Sequence, residues 1–147
     1  MDDAALLWRW ANDAETRRNA FRKAPIPYES HVAWLRTRLD SGATRLWIFA
    51  DDEGPVGQVR FDLADDVAEI DIAVAPERRG HGHGRTMLTA AVRALRAERC
   101  RVRPRAAVLP HNARSLAMFQ ACGFVAVGVE QRDGEEAVVL ELREDGA

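Results

Sequence analysis

Between Arg79 and Gly84 the chain reads Arg-Gly-His-Gly-His-Gly, after an alternating apolar segment and before an amphipathic one. Glycines at a strand-to-helix junction admit left-handed backbone and let a ligand approach closely. The unpaired amides of a helix's first turn, with the helix macrodipole, attract anions. Phosphate is the natural guest of such a loop, although the same glycines serve equally well in a plain tight turn. Two stricter phosphate patterns fail. A P-loop needs G-x-x-x-x-G-K-[ST], but Arg79 stands at its first glycine and Arg85 at its lysine. The dinucleotide pattern G-x-G-x-x-G runs into Met87 or Arg85 where its last glycine belongs. His81 and His83 have no Cys, Asp or Glu close by in the loop to complete a metal site, so no metal is expected.

A second constellation begins 28 residues beyond Gly84: Asn112-x-x-Ser115-x-x-x-Phe119-x-x-x-Gly123-Phe124. Taken alone, Asn112 suits a helix N-cap and Gly123 a helix stop. Taken with Arg79 to Gly84, in this order and at this distance, the pair of motifs resembles the GNAT superfamily of acyl-CoA-dependent N-acyltransferases. The resemblance runs from about Leu6 to Leu142. It implies acetyl-CoA as acyl donor, its pyrophosphate held by Arg79, Gly80, His81, Gly82, His83, Gly84 and Arg85. It also implies that the backbone of Ala73 and Val74 pairs with the pantetheine arm and that an amide there stabilises the oxyanion. Asn112, Ser115 and Phe119 would face the cofactor.

Acyl transfer to an amine needs a neutral nucleophile, a stabilised oxyanion and a departing thiolate. Glu69 and Asp71 are the leading proton acceptors. They alternate on one strand face about 6.6 Å apart, judged from strand rise, and read equally well as a solvated acidic pair. His111 is a runner-up, and Ser115 or water is available to assist the leaving group. Many relatives place a tyrosine where this chain has Phe119. The only tyrosine, Tyr28, lies elsewhere. In this family the first two helices and their loop read the acceptor. Here that region runs Trp10-Ala11-Asn12-Asp13, Arg17 to Phe21, Ile26 and Glu29-x-His31-x-x-Trp34. It is similar to members that acetylate nucleotide-linked aminosugars, and its Trp-x-Asn-Asp part to ribosomal-protein N-terminal acetyltransferases. His31 and Trp34, with Glu69, are therefore expected at the substrate mouth, with packing as their plainer role. A small-molecule amine is the expected substrate. A GNAT-fold module that binds acyl-CoA or a partner without catalysis is the second reading. An unrelated nucleotide-binding domain is the third, disfavoured by the failed phosphate patterns.

These residues need elements to hold them. Leu6, Leu7, Trp10, Ala11 and Ala14 follow helical spacing, so a first helix starts almost at Met1 and runs toward Pro25. Ser30 is a candidate cap for a second helix with Val32, Leu35 and Leu39 inside. Strands follow at 46–50, 56–63 and 67–74, with Ile70, Ile72 and Val74 opposite Glu69 and Asp71. Met87, Leu88, Ala91, Val92 and Leu95 mark a helix, 105–109 a strand and 112–122 a helix. A last hairpin turns at Asp133-Gly134. The order gives an α/β (α+β) domain spanning 1–147, a mainly antiparallel sheet flanked by four helices. Relatives usually begin with a strand, which Met1-Asp2-Asp3 leaves no room for. The open edge invites a second copy, so a homodimer is expected.

Composition closes off other classes. A chain of 147 residues buries roughly 68–70% of its unfolded surface and needs no staples. Cys100 and Cys122 read as free buried thiols of a reducing compartment. The longest uncharged run, Ser115 to Val129, is too short to span a bilayer. No signal-peptide pattern opens the chain, so a cytoplasmic location without membrane or nucleic-acid partners is expected. The net charge of −2 hides a split: Arg78 to Arg105 holds nine arginines and one glutamate, whereas the remainder is acidic. That block covers the glycine loop and the following helix and strand, which moves Arg79 and Arg85 toward polyanion binding. A thiolate is a tolerable leaving group, the parent thiol titrating near about 8.5. Phe119→Tyr is accordingly expected to change turnover less than about tenfold, measured by thiol release; a larger gain would show that thiolate protonation limits the reaction.

Overall fold

The computed structural model describes residues 3–143. Its helices are α1 (Ala4–Ala11), α2 (Ala14–Arg18), α3 (Tyr28–Asp40), α4 (His83–Glu98) and α5 (Ala113–Ala121). Its strands are β1 (Thr44–Asp51), β2 (Gly54–Ala64), β3 (Val67–Val74), β4 (Arg103–Val108), β5 (Phe124–Arg132) and β6 (Glu135–Leu142). They form one sheet in the order β1-β2-β3-β4-β6-β5, antiparallel except for β3 against β4.

Alternation along each strand decides which helices cover which face. Trp47, Phe49, Val59, Phe61, Ile70 and Ile72 point to one face, where Met87, Leu88, Val92 and Leu95 of α4 and Phe119 of α5 pack. Leu46 and Ile48 point to the other, under Leu7 and Trp10 of α1 and Leu35 of α3. The acids of β3 share this second face. The hairpin turns carry left-handed residues where expected, at Asp65 and at Asp133-Gly134.

Three details depart from the sequence reading. The first helix is two, giving five α-helices instead of four. Asn12 breaks it by accepting a hydrogen bond from the Ile26 amide (2.6 Å) and donating to the Ile26 carbonyl (2.9 Å). Asp13 then restarts it as N-cap, accepting from the Thr16 amide at 3.2 Å. Ser30 is not a cap; it lies inside α3, which starts after Pro27, a residue pre-set for a helix entrance. Cys100 is exposed, not buried. Among the described residues no strand precedes α1, and β1 forms that edge of the sheet. The expectation about Met1 and Asp2 lies outside the described residues.

The four tryptophans are structural. Trp10 is in the core under the sheet, Trp47 meets Phe61 edge-on and Trp8 donates to the Ile26 carbonyl at 2.7 Å. Trp34 stacks on Arg60, whose guanidinium is 4.7 Å from the ring centroid. His31 is buried beside Trp34, with ring centroids 5.4 Å apart. Burial first, and the charge of Arg60 second, push the His31 imidazole below its ordinary value. A depressed folded value means that the unfolded chain takes up the proton first. His31 therefore contributes stability fully above about pH 6.5, and that contribution is lost as pH falls through the folded value. Melting temperatures should drop between about pH 7.5 and 5.5 in the native protein, and His31→Leu should flatten that slope. Equal slopes in both proteins would show that His31 does not titrate on unfolding.

Candidate active site

The sheet opens in the middle. β3 and β4 pair only over three positions, Val67 to Glu69 against Arg103 to Arg105. Beyond them β3 continues on β2 alone to Val74, and β4 continues on β6 alone to Val108. The facing edges of 70–74 and 106–108 thus carry backbone donors and acceptors with no strand partner. They line a cleft of about 690 Å³ that extends from the glycine loop to α2 and Phe21.

One end of the cleft is built for an anion. Gly80 (φ 84°) and Gly82 (φ 78°) take left-handed backbone, and Gly82 caps α4 with no side chain in the way. The first-turn amides of His83, Gly84 and Arg85 lack helical acceptors by construction. A Cβ on Gly84 would lie 2.7 Å from the Met118 sulfur, so α4 meets α5 at the cleft floor through this glycine, and a side chain here would have to push the methionine aside. Arg85 is exposed at the rim, and His83 lines the wall. His81, expected at the pyrophosphate, is not among the lining residues. Among the described residues no three groups stand together as a metal site.

Arg79 has a different task from the one its position suggests. Its guanidinium donates to Asp13 Oδ2 at 2.7 Å and pairs with Glu15 at 2.8 Å, fastening the glycine loop to α2. Burial alone would raise the Asp13 carboxyl, but hydrogen bonds from Arg79 and from the Thr16 amide outweigh it and hold the group below its usual range. Three more arginines of the basic block are committed in the same way. Arg78 pairs with Asp51, Arg103 with Asp66 and Arg105 with Glu130. Arg85 remains without a carboxylate among the described residues, which leaves its charge for a ligand.

Ala73, Val74, Asn112, Ser115 and Phe119 all line the cleft, as expected. Asn112 is also the N-cap of α5, accepting from the Ser115 amide at 3.3 Å. Phe119 is buried, with its ring edge-on to Phe124 at 5.2 Å, so its place is in the wall between core and cleft. His111 bonds to Asn19 at 3.1 Å.

The two strand carboxylates separate in role. Glu69 is bound by the Arg132 guanidinium and lies outside the lining. Asp71 lines the cleft with its side chain 53% exposed. Its Oδ2 accepts from Gln58 Nε2 at 2.9 Å and has Arg60 at 3.7 Å, which holds the carboxylate in place. His31 and Trp34, expected at the substrate mouth, are absent from the lining because the face of α3 that carries them is turned onto the sheet. The mouth is formed instead by Thr16, Arg17, Asn19, Ala20 and Phe21. Arg17 shapes that loop by donating to the carbonyls of Ala11 and Arg22, both at 2.7 Å. Phe21 lies 5.6 Å from the Arg132 guanidinium, and Lys23 reaches Glu135 at 2.7 Å, so the loop rests on the β5–β6 hairpin. Gln58 and Arg132 were not legible as site residues, whereas Phe21 belongs to the Arg17 to Phe21 segment expected to read the acceptor. Cross-strand register and a loop contact bring Gln58 and Arg132 there, and neither leaves a local pattern.

Known structures share this architecture. The spermidine N-acetyltransferase from Vibrio cholerae, in complex with CoA and spermine, superposes with a TM-score of 0.82 at 20% identity, covering 95% of this chain and 88% of that one. The aminoglycoside acetyltransferase AAC(6')-Ib, in complex with coenzyme A and kanamycin, gives 0.82 at 19% identity, covering 99% and 91%. The ribosomal-protein-alanine N-acetyltransferase from Brucella melitensis gives 0.80 at 24% identity, covering 95% and 93%. No curated protein sequence matches the chain. The acetyltransferase (GNAT) family model matches residues 6–124, the stretch that builds the parted strands, the glycine loop and the second motif, and the chain belongs to that family.

Proposed function

We propose that the protein transfers the acetyl group of acetyl-CoA to the primary amine of a small molecule by direct attack in a ternary complex. One observation carries the reading: the sheet parts beside an anion-binding loop, so a single cleft offers amides and Arg85 to a pyrophosphate and an unpaired strand edge to an amide-bearing arm. Two neighbours of this fold are in complex with CoA together with an amine, spermine in one and kanamycin in the other.

The chain's own groups cover the chemistry. Ala73 and Val74 would pair with the pantetheine and supply the oxyanion amide. Asp71, exposed in the cleft and held by Gln58, would take the amine proton as the C–N bond forms and the C–S bond breaks. Glu69, neutralised by Arg132, would hold the sheet wall instead. The thiolate would leave without a tyrosine, assisted by Ser115, which lines the cleft, or by water. Among acceptors, an aminosugar nucleotide remains the first proposal. The α-amine of a peptide is the second, favoured by the likeness to the Brucella enzyme.

Thiol release on an amine panel that includes aminosugar nucleotides and short peptides tests this. With the best acceptor, Asp71→Asn should lower kcat/KM by about 100-fold or more while acetyl-CoA binding by calorimetry is retained. A variant within about threefold of the native rate would remove Asp71 from the proton path.

A further inference from the structure

Two of the neighbours named above hold polycations, and the charge layout of this cleft is unlike a polycation site. Resting on the acetyl-transfer reading, we infer that the acceptor is a monoamine: a molecule with one ammonium to place and no second cationic group close to it. Free carboxylates are scarce at the acceptor end. The cleft lining contains two, Glu15 and Asp71, against five arginines. Glu15 is held by Arg79 at 2.8 Å and has Arg114 at 3.9 Å. The next nearest acids on the hairpin side are also committed. Glu69 is bound by Arg132, and Glu130 bridges Arg132 and Arg105, both at 2.6 Å. Asp133 and Glu135 at the hairpin tip are taken by Arg22 and Lys23 from the loop that closes the mouth.

Among the described residues at this end of the cleft, Asp71 is what remains. Even this carboxylate has Arg60 behind it at 3.7 Å and the Arg17 guanidinium within electrostatic reach. One carboxylate in this setting accommodates one ammonium. A second ammonium on the same acceptor would meet arginines, or acids whose charge is already matched, and like-charge juxtaposition is how a site rejects the wrong partner. The arginines of the donor end do not alter this: Arg78 and Arg79 are matched by Asp51, Asp13 and Glu15, and Arg85 would meet the phosphates of the acyl donor. Arg132 is the residue that sets the discrimination. Its guanidinium neutralises Glu69 and Glu130 together while stacking on Phe21 of the mouth.

The test compares spermidine and kanamycin with glucosamine and an alanine-led peptide carrying no other cation. In the thiol-release assay the best monoamine should exceed spermidine and kanamycin by at least about tenfold in kcat/KM. Arg132→Met, which frees Glu69 and leaves Glu130 to Arg105 alone, should narrow that gap at least about threefold by improving spermidine. Acetyl-CoA binding serves as the check that the variant is folded. Spermidine or kanamycin matching the best monoamine in the native protein would overturn the inference. Calorimetry of the CoA-loaded protein decides the case in which no amine turns over, an outcome that would sink the acetyl-transfer reading by itself. Saturable spermidine binding below about 1 mM would then overturn the monoamine inference, and absence of such binding would uphold it.

Discussion

The parting of β3 from β4 after Glu69 and Arg105 is the constraint on which the rest of the molecule depends. Parallel pairing is slightly weaker than antiparallel pairing, and here it is kept to three positions. Each strand stays straight by leaning on an antiparallel partner, β2 on one side and β6 on the other. The core beneath is continuous across the gap, because α4 and α5 pack against both halves and meet at Gly84 and Met118. A continuous sheet would have satisfied its backbone and bound nothing. An open one leaves backbone groups that an amide-bearing ligand satisfies.

Ionic contacts then trim the space around the opening. The chain has 20 arginines and one lysine, and the arginines do their work as fasteners. Arg79 joins the glycine loop to α2, Arg105 and Arg132 join three strands through Glu130 and Glu69, and Arg22 and Lys23 rest the mouth loop on the hairpin. Pairs this exposed contribute little individually, of order 0–1 kcal/mol. Their effect is positional: they hold α2 and its loop over the cleft, and they decide which charges are left for a ligand. Arg85 and Asp71 are left, one at each end.

Legibility followed the range of the interactions. Strand β3 was readable to the residue, since its alternation of Ile70, Ile72 and Val74 against Glu69 and Asp71 is a local pattern with one buried face. The glycine loop, the Asn112 cap and the α4 stripe were readable for the same reason. The break at Asn12 was not, because its cause is a pair of hydrogen bonds to Ile26, fourteen residues away. Arg79 was assigned to a phosphate from its motif; it lines the cleft, and its ion pairs with Asp13 and Glu15, 66 and 64 residues back in the chain, were not legible. His31 and Trp34 were placed at the mouth by their helix, yet rotation of α3 turns them onto the sheet.

The sequence by itself determined the kind of protein: two motifs at fixed spacing, period-2 and period-3.6 segments in a set order, and enough apolar residues for one core. These are local properties, and each is set by steric preference or by the periodicity of one element. The division of labour between Glu69 and Asp71 was decided only in three dimensions. Both acids lie on the same strand face with the same chemistry. One meets Arg132 from β5 and is neutralised, whereas the other meets the amide of Gln58 from β2 and keeps its charge facing the cleft. A carboxylate's function depends on which donor reaches it, and that is a matter of packing between distant segments.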